Sequence, residues 1–295
     1  MSLRLPATLI ALALLAGCAS TPDPRAVIVP PAPTTHTLVA ANDNLNAVAW
    51  SQTAIEHDLI YLQTYRDAQA RLLAARDDPH WDALAKGDRT TPLQGLKPAV
   101  VLDIDETVLD NSPSAARMIK GDLEFNEAAW AQWCREERAR ALPGAVEFTQ
   151  FAAQNGIAVI YISNRTSDLD QATLANLRKV GFPVQGPQSF LGLGTVVEGC
   201  DEVGSEKGCR RQLIARSYRV LMQFGDQIGD FVDVVSNTRQ GRRQAMADYM
   251  PWIGTRWFVL PNPTYGSWEP ALFSNNWRAP LQERRQQKQN ALRTE

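Results

Sequence analysis

The chain of 295 residues is long enough to bury one sizeable core, with some length left for a tether or a cap. Hydrophobic residues make up 44% of it and charged residues 21%, which is the composition of an ordinary globular protein. The formal net charge of −2 gives no general attraction for polyanions, so we expect no nucleic-acid polymer as a partner. Attraction of a small anionic substrate would have to come from a few local basic groups or from a metal ion.

Residues 1–17 are predicted to be a lipoprotein signal peptide. Arg4 is followed by an apolar run over residues 7–16, which is too short to cross a bilayer as a helix. The run ends in Leu-Ala-Gly-Cys at positions 15–18, which resembles a bacterial lipobox and implies lipidation of Cys18. Ala19 rather than an aspartate comes next, so the resemblance favours an outer-membrane anchor, with the soluble part in the periplasm or at the cell surface. A plain secretory signal with an incidental cysteine is the alternative.

Residues 18–41 are rich in Pro, Thr and Ala and are predicted to form a flexible tether, since this composition cannot bury a core. Several acyl chains on Cys18 would give a durable membrane anchor, because each buried methylene contributes about 0.8 kcal/mol. The folded domain is predicted to cover residues 42–278, followed by a polar tail, 279–295, that we expect to be a frayed helix.

Helical and strand patterns alternate along the folded domain. The predicted helices are 43–76, 144–154, 168–180 and 210–217, and the predicted strands are 99–102, 157–162, 183–191, 218–224 and 256–260. This alternation predicts an α/β fold, with a doubly wound parallel sheet and helices on both faces. The stretch 111–142 is helical in character and is predicted to form a small cap over the ends of the strands.

Polar residues come directly after four of the predicted strands, namely Asp103, Ser163, Asp226 and Asn262. In open α/β sheets the ligand site lies beyond the carboxyl ends of the strands. These four strand ends are therefore predicted to form one site.

The residue types at these ends are those that phosphate chemistry needs. Asp103 could attack phosphorus, and Asp105 could protonate the leaving oxygen and later deprotonate water. An anion approaching a phosphate is repelled, and a magnesium ion held by Asp103 and Asp226 could offset that repulsion. Asp230 is expected either to bind the same metal or to orient a water bound to it.

Donors for the phosphate group are predicted from two further segments. The Ser163 hydroxyl and the Asn164 backbone amide are expected where a helix begins, which is a favourable setting for an anion. Lys207 is expected to supply a positive charge, although a lone lysine is more often solvated on a loop.

The ordered set of these residues resembles the haloacid dehalogenase (HAD) superfamily, and within it the class C acid phosphatases, also called the lipoprotein e family. The four matching motifs are the stretches 103–112 and 161–165, Lys207, and the stretch 225–231. The resemblance implies a HAD-like, Rossmannoid fold and Mg²⁺-dependent hydrolysis of phosphate monoesters through an aspartyl phosphate, as in 5′-nucleotidases. It also implies that Asp105 offers its backbone carbonyl to the metal. An acid at Asp105 favours ester hydrolysis over dehalogenation, because an ester oxygen needs a proton in order to leave.

The same resemblance suggests that Trp130 and Tyr265 flank the nucleobase of a nucleoside 5′-monophosphate. Packing within the protein is the alternative for both rings, and for Trp133 it is the preferred interpretation. A phosphotransferase with the same intermediate and a non-catalytic surface-binding lipoprotein on the same fold are the alternative functions. Pairing of Cys200 with Cys209 in an oxidising periplasm, two free thiols at these positions, and assembly into a homo-oligomer all stay open.

Overall fold

A parallel five-stranded sheet lies at the centre of residues 42–295, the part of the chain that the computed structural model describes. The predicted signal peptide 1–17, the lipidation site Cys18 and the tether up to residue 41 lie outside the described residues. The strands are β1 Lys97–Leu102, β2 Leu109–Asp110, β3 Arg140–Ala141, β4 Ala158–Thr166, β5 Phe190–Leu193, β6 Tyr218–Gly225 and β7 Trp257–Val259. Within these residues the large sheet has the order β5-β4-β1-β6-β7, and β2 pairs with β3 in a separate antiparallel ribbon.

Helices connect the strands and cover both faces of the sheet. They are α1 Leu45–Thr53, α2 Ile55–Asp77, α3 Ser112–Lys120, α4 Glu127–Arg135, α5 Ala145–Gln154, α6 Asp170–Lys179, α7 Gly208–Ala215, α8 Arg239–Met246 and α9 Leu281–Asn290. Val100 and Leu102 of β1 pack into a core shared with α2, α5 and α6, whereas Ala99 and Val101 pack with α7 and α8. Successive residues of a strand point to opposite faces, so the apolar run of β1 is buried on both sides. The predicted α/β fold with a parallel sheet is confirmed.

The predicted single helix 43–76 was wrong in one respect, since α1 and α2 are separate helices. The backbone of Ala54 is extended, with φ −81° and ψ 121°. The hydroxyl groups of Ser51 and Thr53 donate to carbonyls four residues earlier, a contact that bends helices. The ring centroids of Trp50 in α1 and His57 in α2 lie 5.4 Å apart.

Helix α2 buries a different face from the one that its aliphatic residues suggest. Its buried residues are His57, Tyr61, Tyr65, Ala68, Leu72 and Ala75. Ile55 and Leu59 remain more than half exposed, at 62% and 52%. The tyrosines of α2 are buried because their hydroxyl groups reach backbone carbonyls of the loop after β1, which satisfies their hydrogen-bonding need.

The two short strands β2 and β3 flank the helices α3 and α4, which lie between them within the predicted cap, 111–142. Leu109 pairs with Ala141 and Asp110 with Arg140, so the ribbon holds both ends of this segment together. Helix α4 is capped by Asn126, whose side chain accepts a hydrogen bond of 2.8 Å from the amide of Ala129.

The polar tail is part of the same compact unit as the sheet, Asn42–Glu295. Helix α9 carries Arg284, which is 7% exposed and forms an ion pair of 2.7 Å with Glu124 of the cap. Lys288 pairs with Glu269 at 2.6 Å. The tail is therefore helical, as expected, but ion pairs to distant segments hold the helix in place, so it is not frayed. None of the helices in residues 42–295 combines the length and apolarity that a membrane span requires.

Candidate active site

The carboxyl ends of β1, β4, β6 and β7 bring the predicted strand-end residues to one edge of the sheet. β1 lies between β4 and β6, and β7 lies beside β6. Asp103 follows β1, Asp226 follows β6, and Ser163 lies within the last residues of β4. The spacing in sequence between these residues is large, but the parallel strand order makes them neighbours.

Lys207 is a buried cation at the amino end of α7. Its Nζ contacts Oδ1 of Asp103, lies 2.6 Å from Oδ1 of Asp230 and 2.9 Å from the carbonyl of Ile162. The residue is only 4% exposed, so it is not a solvated loop lysine. Burial lowers the pKa of Lys207, but the two carboxylates raise it by more, so the ammonium group stays charged.

Asp103, Asp226 and Asp230 form a group of carboxylates whose nearest oxygen atoms all lie within 4.8 Å of one another. Oδ2 of Asp226 accepts a hydrogen bond of 2.8 Å from Asn262. A Cβ atom at Gly225 would lie 2.2 Å from Oδ2 of Asp230, so only glycine allows Asp230 to fold back over the strand end. Oxygen ligands of this kind suit a hard divalent cation such as Mg²⁺, and the residues therefore fit the predicted metal.

The electrostatics of this group also favour a cation. Burial raises the pKa of Asp103 to about 7, and the neighbouring carboxylates Asp230 and Asp105 add to the rise against the opposing effect of Lys207. Burial and the same kind of repulsion raise the pKa of Asp226 well above its usual value. Lys207 contacts only Asp103 and Asp230 of these three carboxylates, so negative charge is left uncompensated, and a divalent cation would stabilise their ionised forms.

The carboxylate of Asp105 is bound by the buried side chain of Arg165, whereas Lys207 binds Asp103 and Asp230. Arg165 Nη2 lies 2.7 Å and Nε 3.0 Å from Oδ1 of Asp105. Ser163 donates to Oδ2 of Asp105 at 3.1 Å, and its oxygen accepts from the amide of Arg165 at 3.1 Å. Sequence reasoning gave Arg165 no role, although an arginine two residues after the strand-end serine was a visible signal.

The setting predicted for Ser163 and Asn164 was wrong. Strand β4 continues to Thr166, and α6 begins only at Asp170, after a turn of 3₁₀ helix over Ser167–Leu169. Ser163 is fully buried, and Asn164 is exposed with its side-chain oxygen 2.8 Å from Nη2 of Arg210. Neither residue therefore lies at a helix start, because β4 continues through an irregularity in its register to Thr166, which pairs with Leu193 of β5.

Arg210 is a second buried arginine that the sequence left without a role. Its Nη1 donates to the carbonyl of Ser163 at 2.7 Å, and its Nε donates to Glu202 at 3.0 Å. Cys209, beside it, is bonded to Cys200 with a Cα–Cα distance of 5.6 Å. The loop before Lys207 is thus attached both to α7 and to the end of β4.

Trp130 and Tyr265, the two predicted stacking residues, contact two different residues beside Asp105, namely Arg165 of β4 and Glu106 of the loop after β1. The Trp130 ring lies 5.4 Å from the guanidinium carbon of Arg165. The hydroxyl of Tyr265, a residue that is 38% exposed, donates to the carboxylate of Glu106. Trp133 is buried instead, and its Nε1 donates to Oδ1 of Asn111 at 2.8 Å, as expected for a packing role.

Glu106 was also missed by sequence reasoning. Its φ of 56° lies in the left-handed region, which glutamate rarely adopts, and several contacts fix it there. Its Oε1 accepts from the amide of Asn111 at 2.8 Å, and its carbonyl accepts from Tyr61 at 2.5 Å. Burial, together with the charge of Asp105, raises the pKa of Glu106 to about 8.

Comparison with known proteins gives matches over most of the chain. The family profile of the HAD superfamily, subfamily IIIB (acid phosphatase), matches residues 31–268. The crystal structure of a class C acid phosphatase from Bacillus anthracis with tungstate bound is 32% identical, with a TM-score of 0.73 over 85% of this chain and 97% of that chain.

Two curated proteins from Glycine max match a shorter stretch. The stem 28 kDa glycoprotein is 28% identical over 175 residues, which is 57% of this chain and 60% of that protein. A stem 31 kDa glycoprotein is 27% identical over 165 residues, which is 56% of this chain and 58% of that protein. The chain thus spans less than two thirds of the length of these relatives.

Proposed function

We propose that this chain, which belongs to subfamily IIIB of the HAD superfamily, the acid phosphatases, hydrolyses phosphate monoesters with a divalent metal ion bound beside Asp103. The observation that carries the proposal is the group of Asp103, Asp226 and Asp230 at the carboxyl edge of a parallel sheet, with the buried Lys207 paired to two of them. Mg²⁺ is the proposed ion, since all the ligand atoms are carboxylate oxygens.

In the proposed reaction, Asp103 attacks phosphorus and forms an aspartyl phosphate while the bond to the ester oxygen breaks. Asp105 gives its proton to the departing oxygen and then takes one from the water that hydrolyses the intermediate. Lys207, and the Ser163 hydroxyl, are positioned near Asp103 and Asp105 to stabilise charge on the phosphate oxygens. The metal ion, when bound by Asp103, Asp226 and Asp230 and by the Asp105 carbonyl, would offset the repulsion between nucleophile and phosphate.

Nucleoside 5′-monophosphates are the proposed substrates. Trp130 and Tyr265 support this proposal, because each contacts a neighbour of the proton-transferring Asp105. The Trp130 ring lies over Arg165, and the Tyr265 hydroxyl donates to Glu106. Stacking of a nucleobase on such a ring contributes about 0.5–1.5 kcal/mol beyond the area that it buries. Smaller monoesters would bind with the phosphate contacts alone.

Attachment to the outer membrane through Cys18 is proposed from the lipobox-like sequence. Metabolic labelling with a radioactive fatty acid should mark the wild-type protein and not the Cys18→Ala variant. Equal labelling of the two proteins would contradict the anchor.

The test of the proposed activity is a phosphate-release screen over nucleotides, sugar phosphates and p-nitrophenyl phosphate. We expect release with Mg²⁺, loss with EDTA and recovery on adding Mg²⁺ back. Asp103→Asn should abolish turnover while circular dichroism stays unchanged, and Asp248→Asn, at an exposed aspartate, should retain it. Substantial turnover by Asp103→Asn would contradict the assignment of Asp103 as the nucleophile. Transfer of phosphate by the wild-type protein to an added alcohol would favour a phosphotransferase.

A further inference from the structure

Arg165 is a charged side chain that the structure buries almost completely, at 1% exposure. Burying an ion pair is costly, and replacing a buried ion pair by apolar residues is often neutral or stabilising. A contribution to folding stability therefore does not explain why Arg165 is buried. Its partner is Asp105, the residue that handles the proton in the proposed reaction. Three nitrogen–oxygen distances join the two side chains, at 2.7, 3.0 and 3.3 Å.

Further contacts fix the orientation of the guanidinium group. Nη1 donates to the hydroxyl of Thr173 and Nη2 to Oδ1 of Asn111, each at 3.3 Å. The Trp130 ring covers the guanidinium from the cap. A planar guanidinium fixed in this way supplies a positive charge and also fixes the direction of its hydrogen bonds to Asp105, whereas a lysine ammonium supplies the charge alone.

The oxygens of Asp105 have little freedom as a result. Oδ1 accepts from Arg165 and, at 2.9 Å, from Nδ2 of Asn111. Oδ2 accepts from Ser163 and more weakly from Arg165. The carboxyl group is therefore oriented by residues from β4 and from the start of the cap.

We propose that Arg165 is a positioning residue that orients the carboxyl group of Asp105 for proton donation to the leaving oxygen. This inference rests on the proposed function. In the first step the bond between phosphorus and Asp103 forms, the bond between phosphorus and the ester oxygen breaks, and the proton of Asp105 passes to that oxygen. Without Arg165, donation would slow, whereas the attack by Asp103 would not depend on it directly.

Two aryl esters of similar shape separate these steps. Phenyl phosphate releases a weakly acidic phenol, with a pKa near that of tyrosine, about 10, and it needs a proton from the enzyme. p-Nitrophenyl phosphate releases a far more acidic phenol and needs that proton much less. kcat/KM is the proper measure, because it covers the steps up to departure of the phenol and not the later hydrolysis of the intermediate.

The experiment compares Arg165→Lys and Arg165→Met with the wild-type protein on both esters in the presence of Mg²⁺. We expect kcat/KM for phenyl phosphate to fall about ten- to a hundredfold more than kcat/KM for p-nitrophenyl phosphate, since general acid catalysis contributes about 10²–10⁴-fold. Arg117→Met is the matched control: Arg117 covers the Trp133 ring of the cap at 5.0 Å and pairs with Glu136, so the ratio of the two esters should not change.

Equal losses on the two esters, or no loss on either, would overturn the positioning role. Arg165→Lys keeps a buried positive charge beside Asp105, so it decides the question if Arg165→Met does not fold by circular dichroism. Failure of the wild-type protein to hydrolyse either ester would instead refute the proposed function.

Discussion

The Lys207→Met substitution removes a buried ammonium group that contacts Asp103 and lies 2.6 Å from Asp230. Methionine has a similar volume but leaves two buried carboxylates without their cation. Breaking a buried ion pair in this way costs about 3–5 kcal/mol of unfolding free energy. We expect a loss of this size in EDTA at pH 8.

The loss should be smaller at pH 5. The pKa of Asp103 is about 7 in the folded protein, above its value of about 3.9 in an unfolded chain. Folding therefore favours protonated Asp103, and its contribution to stability is fully present below about pH 4 and is lost as the pH rises through about 7. Lys207 opposes this rise, so removing it raises the pKa of Asp103 further. At pH 5 Asp103 is protonated with or without Lys207, and less charge is left uncompensated.

Guanidinium unfolding followed by tryptophan fluorescence measures both losses, in EDTA at pH 5 and pH 8. Lys86→Met, at an exposed lysine, should stay within about 0.5 kcal/mol of the wild-type protein. With Mg²⁺ present, kcat/KM of Lys207→Met for p-nitrophenyl phosphate should fall about 10²–10³-fold. The reasoning is refuted by a loss below about 1 kcal/mol at pH 8, or by equal losses at the two pH values.

Further predictions concern the metal, the cap and the disulfide. Mg²⁺ at a hundredfold excess over its Kd should stabilise the protein by about 2.7 kcal/mol at pH 8, which raises the Tm by about 5–10 °C. The stabilisation should be smaller at pH 5, because protons compete with the metal for the carboxylates. An equal rise in Asp226→Asn by scanning fluorimetry would contradict the metal site. Trp130→Ala should raise KM for a nucleoside 5′-monophosphate about three- to tenfold and leave KM for a small alkyl phosphate unchanged. Trp277→Ala, at an exposed ring, is the control. Equal effects of Trp130→Ala on both esters would reject stacking. Dithiothreitol should lower the unfolding free energy by about 2–3 kcal/mol, because the disulfide closes a loop with a sequence separation of 9. The unfolding free energy of Cys200→Ser should not change with dithiothreitol. An unchanged wild-type value would contradict the stabilisation by the disulfide.

The fold and the main site residues were predictable because their signals are local in sequence. An apolar run followed by an aspartate marks a buried strand and its end, and parallel strands end at one edge whatever the loops between them do. Asp103, Asp226 and Asp230 could thus be assigned to one metal site, and their oxygens lie within 4.8 Å of one another. The family resemblance added Lys207, which no local pattern distinguishes from an exposed lysine.

Contacts between distant residues were decided only by the tertiary structure. Arg165 meets Asp105 across 60 positions, and Tyr265 meets Glu106 across 159. No periodicity records such pairs, because they depend on how a strand, a loop and the cap pack together. The same reason accounts for the ion pairs that fix the polar tail.

The sequence by itself therefore determined that Asp103 and Asp226 follow two strands of the sheet, and with these carboxylates the chemistry that the site can perform. The tertiary structure decided how these residues are oriented: Asp230 folds back over Gly225 because no Cβ is present there, and the carboxyl of Asp105 is held by the buried guanidinium of Arg165. Residue type follows from local pattern, whereas orientation depends on packing between segments that the sequence does not place side by side.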